Sequence, residues 1–172
     1  MARIPYGQPA EGTRAAETLK RTPINVLRMV SHSEEGLRAF SGMGNAILGK
    51  STLDQVLKEL AILRVGNLVG AKYEIHHHER IAKRAGMSEA QLEGSRKGAG
   101  VPGLSEDDKL VITFCEEYNE KGVSEATFEK AKARFSHAEL VDLALACGYY
   151  GLVSRFLNTF GVDIEESVPK GL

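Results

Sequence analysis

Residues 70–80 read GAKYEIHHHER. Three adjacent histidines flanked by glutamates can be a metal site, an acid–base site or a solvated helix surface. Spacing separates these cases. At about 3.6 residues per turn, Ala71, Glu74, His78, Ile81, Ala82 and Ala85 share one face, and His76, Glu79, Arg80 and Lys83 share the opposite one. Tyr73 and His77 lie at the flank. His76 therefore reads as solvated and His77 as intermediate. His78 reads as an imidazole on an apolar stripe, one turn after a carboxyl. Imidazole changes charge near neutral pH, so such a pair suits proton transfer as well as it suits a structural hydrogen bond.

The other chemistries lack their patterns. A zinc peptidase needs H-E-x-x-H, which is absent. A di-iron bundle needs E-x-x-H on two helices, and Glu74-x-x-His77 stands alone. Neither a G-x-S-x-G elbow nor a phosphate-cradling glycine loop occurs. Neither a metal nor an organic cofactor is therefore expected. Cys115 and Cys147 form no CxxC, and each sits in an apolar context, where it reads as a small core residue.

The preceding segment, TLDQVLKELAILRVGNLVG over residues 52–70, carries only Glu59 and Arg64 as charges after Lys58. A helix apolar nearly all round is buried nearly all round. Glu59 shares a face with Ile62, Leu63, Gly66 and Asn67, so its carboxyl must be paired, hydrogen-bonded or protonated.

These elements need a scaffold, and the whole chain describes a helical one. It has 172 residues, 42% apolar and 26% charged, with a formal net charge of −1. That is enough for one domain with a sizeable core. The charge balance and scattered Lys and Arg speak against nucleic acid. No apolar run looks long enough for a bilayer, and MARIPYGQPAEGTR lacks a signal-peptide core, so a cytoplasmic protein is expected. Residues 1–13 read as a flexible arm and 14–172 as a single all-α domain of about seven to eight helices. Thr22-Pro23 and Ser51–Asp54 look like helix starts. SGMGNAILGK looks like the end or bend of a helix begun at Ser33. Ser88, Ser105, Ser124 and Ser136 look like caps. The stretch from about 137 to 161 reads as a long apolar helix, more hydrophobic than one monomer face requires. Its Arg155 reads as a helix-packing ion pair or an anion anchor.

ELAILRVGNLVGAKYEIHHHERIAKRAGMSEAQL (59–92) resembles the core motif of the carboxymuconolactone decarboxylase and alkyl hydroperoxidase D-like family. FSHAELVDLALACGYYGLVSRFLNTFGVDIE (135–165) is similar to the family's closing helix. The resemblance covers about residues 35–165 and implies an alkyl hydroperoxidase D-like helical bundle, assembled as a trimer or hexamer. The family's redox branch carries a glutamate, a CxxC and a histidine. These fall on Glu59, on Ala71 and Glu74, and on His78, so the acid–base positions are kept and both thiols are missing. Without a thiolate there is no nucleophile for peroxide, and a peroxiredoxin-type activity is not expected. The decarboxylase branch, with a glutamate four residues before its histidine, fits better. The resemblance implies a cofactor-free site acting on a small carboxylated or lactone substrate. His78 is the expected proton donor and Glu59 and Glu74 its partners. Arg64, His77 and Ala71 are the expected substrate contacts. The rival reading is a non-catalytic helical oligomer that binds a small molecule.

Overall fold

The computed structural model describes residues 1–166, and among them all regular structure is helical. Nine helices follow one another: α1 Arg14–Arg21, α2 Asn25–Val30, α3 Glu34–Lys50, α4 Gln55–Val69, α5 Lys72–Arg84, α6 Glu89–Lys97, α7 Glu106–Glu120, α8 Glu125–Arg134 and α9 His137–Phe160.

α4 is the centre. Every residue from Lys58 to Gly66 is buried, as a helix apolar on nearly every side requires, and it packs on α9, α7, α5 and α6. Leu60, Ile62 and Leu63 are essentially fully buried, each contributing about 1.5–3 kcal/mol by leaving water. Its start is not the expected Ser51 box. The Asp54 carboxylate caps it instead, accepting from the Val56 and Leu57 N–H groups. At the other end Gly70 takes a left-handed conformation (φ 68°), which glycine adopts without steric cost. The Ala71 N–H closes back on the Gly66 carbonyl at 2.9 Å. Two residues thus join α4 to α5 in a tight antiparallel hairpin.

Elsewhere sequence signals hold or fail for identifiable reasons. The capping boxes at Ser88, Ser105 and Ser136 form, as does the Ser124 cap. α3 runs straight through its glycines to Lys50. A Cβ at position 44 would lie 2.9 Å from the Tyr149 hydroxyl, which donates to the Phe40 carbonyl at 3.0 Å. Glycine there permits close approach of α9, and that packing offsets its poor helix propensity of about 1 kcal/mol. α1 was not expected. Thr13 caps it, and its Ala15 and Leu19 join an apolar cluster with α2, α3 and the end of α9. Thr22 ends α1 rather than starting α2, whose cap is Ile24.

Residues 1–13, expected to be a flexible arm, are tied to the body. The Arg3 N–H donates to the Phe160 carbonyl, the Gly7 N–H to that of Arg28, and the Tyr6 hydroxyl to Asp163. The expectation of no span-length apolar run is corrected at α9. Its 24 residues, with mean hydropathy 1.3 in the most apolar window, are long and apolar enough to cross a membrane, and half of that window is buried inside this fold. The apolarity serves a core helix packed along α4.

Candidate active site

The α4–α5 hairpin brings together the three groups that the sequence placed on facing stripes. His78 Nδ1–H donates to Glu59 Oε2 at 2.8 Å. On the far side of the ring, His78 Nε2 lies 3.4 Å from Glu74 Oε2, one turn earlier on α5. Glu59, Glu74 and His78 are exposed by only 1%, 5% and 6%. The imidazole is thus clasped between two carboxyls from different helices.

Burial and charge act in opposition here. Burial disfavours the imidazolium, but the hydrogen bond and charge of Glu59, with Glu74 behind, outweigh it and raise the pKa of His78. Burial also raises that of Glu74. The positive imidazole partly offsets the effect and Glu59 reinforces it. Glu74 and His78 are therefore both biased toward holding a proton.

A cavity of about 390 Å³ opens beside this cluster, between α5 and α9 on one side and α1 to α3 on the other. Glu74, His77 and His78 line it, whereas Glu59 stands behind them. Apolar walls come from Leu27, Phe40, Ile81, Tyr149 and Val153. His77 Nε2–H donates to Glu165 Oε2 at 2.8 Å. Glu165 also accepts from the Tyr73 hydroxyl at 2.6 Å and from the Asn25 N–H at 2.6 Å. Burial lowers the pKa of His77 despite Glu165, so this second imidazole is biased toward the neutral form. His76 is exposed, as expected.

Two expected substrate contacts are corrected. Arg64 is spent on Glu116 (Nη2 to Oε1 2.7 Å) and on the carbonyls of Ser95 and Arg96 at the end of α6, away from the cavity. Its length carries it off the Glu59 face to cap another helix. Ala71 is fully buried at the α5 N-cap and does not line the cavity. Arg155 forms no ion pair among the described residues and donates to its own helix at the Gly151 carbonyl.

The sequence reading missed Glu165, Tyr150, Arg21 and Arg80. Glu165 lies 88 residues from His77, and no local pattern links them. Arg80 was placed on the solvent face, but it and Arg21 of α1 both line the cavity. Among the described residues neither has an ion-pair partner.

Residues 34–106 match the model of the carboxymuconolactone decarboxylase family. The matched segment spans 73 of the 172 residues. It holds α3 to α6, including the Glu59–His78–Glu74 cluster, and the resemblance read from the sequence is borne out. No protein of curated function matches the chain. Its fold is similar to the alkylhydroperoxidase AhpD core of an uncharacterized peroxidase-related protein from Ralstonia eutropha JMP134 (TM-score 0.79, 18% identity, 96% of this chain and 93% of that chain). A peroxidase-related protein from Silicibacter sp. TM1040 is similar over 96% and 92% of the two chains (TM-score 0.80, 16% identity). So is a cysteine-to-alanine variant of the debrominase Bmp8 in complex with 2,3,4-tribromopyrrole (TM-score 0.73, 16% identity, 96% and 95%). At these identities the likeness is one of fold.

The segment that matches the family model contains no cysteine. The chain's two thiols meet instead in the core, Cys115 Sγ 3.3 Å from Cys147 Sγ, both fully buried. Burial, and then the neighbouring sulfur, pushes the Cys115 thiol well up. The native protein should leave both thiols unreacted in a titration with an aromatic disulfide reagent and release both on unfolding. Rapid labelling of the native state would show an accessible thiolate that this packing forbids.

Proposed function

We propose that this protein is a cofactor-free acid–base enzyme of the lyase type, acting on a small carboxylated or lactone substrate. One observation carries the reading: Glu59, His78 and Glu74 form a buried carboxyl–imidazole–carboxyl chain, and His78 and Glu74, the two members biased toward holding a proton, face a cavity. Buried titratable clusters of this kind, with perturbed pKa values and a cavity beside them, are the usual equipment of proton transfer.

The reaction suited to it is decarboxylation of a β,γ-unsaturated lactone acid. The bond from carbon to carboxylate breaks, CO₂ leaves, and the electron pair passes into the lactone as a dienolate. That dienolate takes a proton from Glu74. Nε2 of His78 returns a proton to Glu74 while Glu59 holds the imidazole at Nδ1, and solvent restores the imidazolium. His78 thereby acts through Glu74 rather than alone, because both of its ring nitrogens face carboxyls. Arg21 and Arg80 replace Arg64 as the groups that would hold an anionic part of the substrate away from the reacting carbon. Aromatic walls suit a planar ring, and the debrominase Bmp8 variant holds a planar pyrrole on the same fold.

The same reading extends to a homo-oligomer in the cytoplasm. Val141, Leu145 and Leu152 of α9 are exposed by 57%, 41% and 56%, an apolar face suited to a second copy. The unbonded thiols fit a reducing compartment.

The test is to screen lactones and unsaturated acids for a change in ultraviolet absorbance, with and without a chelator. Turnover of at least one member, unaffected by chelator, is the expected result. Activity lost with chelator would replace this mechanism with a metal-dependent one. A set with no turnover at all would favour the non-catalytic binder.

A further inference from the structure

Tyr150 of α9 stands beside the acid–base cluster with an unused proton. Its ring meets His78 edge to face, with centroids 4.9 Å apart and planes at 84°. The Tyr149 ring also meets it edge to face, at 5.3 Å. The residue is only 3% exposed. A buried tyrosine ordinarily finds a partner for its hydroxyl. Tyr6, Tyr73 and Tyr149 do so, donating to Asp163, Glu165 and the Phe40 carbonyl. Tyr150 does not: among the described residues its hydroxyl makes no hydrogen bond. Nor is it sealed in the core, as the partnerless Ser41 Oγ and Ser154 Oγ are. It keeps contact with free space, and the space that Tyr150 lines is the cavity shared with Glu74 and His78.

The geometry points to Tyr150 as a catalytic hydrogen-bond donor, whose hydroxyl binds the substrate oxygen on which negative charge develops. This rests on the acid–base reading given above and completes it. A dienolate needs a donor at its oxygen as well as a proton at its carbon, and one donor placed in a dry site before the reaction serves the transition state more than the ground state. Burial, then the charges of Glu74 and Glu59, hold the phenol pKa well above its usual value. Tyr150 therefore stays protonated and donates. It cannot act as the base.

The test is Tyr150→Phe, which removes one oxygen and no protein hydrogen bond. Its melting temperature should equal or exceed that of the wild type, because no native partner is orphaned. On a substrate found in the screen, kcat should fall by about 10²–10³-fold with KM little changed. A second readout needs no turnover. 4-Nitrophenol carries its charge on one oxygen and reports its ionisation by absorbance. It should bind the wild type, with the nitrophenolate absorbance perturbed, and bind Tyr150→Phe about tenfold or more weakly. Equal affinity for the two proteins, or no saturable binding to the wild type at millimolar concentration, overturns the assignment. A lower melting temperature with unchanged nitrophenol affinity would likewise reduce Tyr150 to a packing residue. If Glu74→Gln keeps full turnover while Tyr150→Phe loses nitrophenol, the acid–base reading fails and the donor stands.

Discussion

Glu74→Gln should lower turnover by about 10²–10⁴-fold while the protein keeps its fold. Glutamine has the shape of a protonated glutamate and cannot release a proton. Burial already raises the pKa of Glu74, so the fold favours the neutral side chain, and the amide should be tolerated at 5% exposure. The loss should appear in kcat with KM little changed, because the proton moves only as the reaction proceeds. Wild-type activity should decline as pH rises through the elevated pKa of Glu74, and the residual activity of the variant should lack that limb. His78→Gln should cause a loss of the same order through the same chain. Full turnover by both variants, measured on one identified substrate, would remove the cluster from the mechanism.

Glu59→Ala has the largest expected effect on stability, a loss of about 3–5 kcal/mol in denaturant unfolding, because it strips the partner from a buried, charge-prone imidazole. The pH dependence follows from the direction of each shift. His78 has a folded pKa above its ordinary 6.5, so its contribution is complete below that value and fades as pH climbs through the folded pKa. Glu74, raised above 4.5, acts with the same sign. Glu165 is lowered, because burial is outweighed by the Asn25 N–H and Tyr73 hydroxyl, and its contribution is lost as pH falls below 4.5. The wild type should therefore lose stability as pH rises above about 6.5, and Glu59→Ala should flatten that slope. An unchanged slope in the variant would mean that Glu59 does not set the imidazole's charge.

The legible part of this protein was what periodicity can express. The stripe of Ala71, Glu74 and His78, the buried α4 and its lone acid, and the serine caps all follow from spacing along one helix. What remained hidden depends on contacts between distant segments. The glycine-rich stretch of α3 looks like a break in sequence, yet one of its glycines, Gly44, is where Tyr149 of α9 comes close. Arg64 looked available until Glu116 and the end of α6 claimed it. Tyr150 reaches the cavity, and Glu165 reaches the His77 that lines it, from the far end of the chain, where their sequences read only as an apolar helix and a tail. α1 escaped notice because its eight residues bury little beyond Ala15, yet it brings Arg21 to the cavity wall.

The joint at Gly70 and Ala71 sets the rotational phase of α5 against α4, and with it the reach from position 59 to position 78. The bonds that close the joint run between main-chain atoms, from the Gly70 N–H to the Asn67 carbonyl and from the Ala71 N–H to the Gly66 carbonyl. A gauge fixed by the main chain holds the ring at 78 at its distance from the Glu59 carboxyl through the hairpin itself, not through the side chains that flank it on α5.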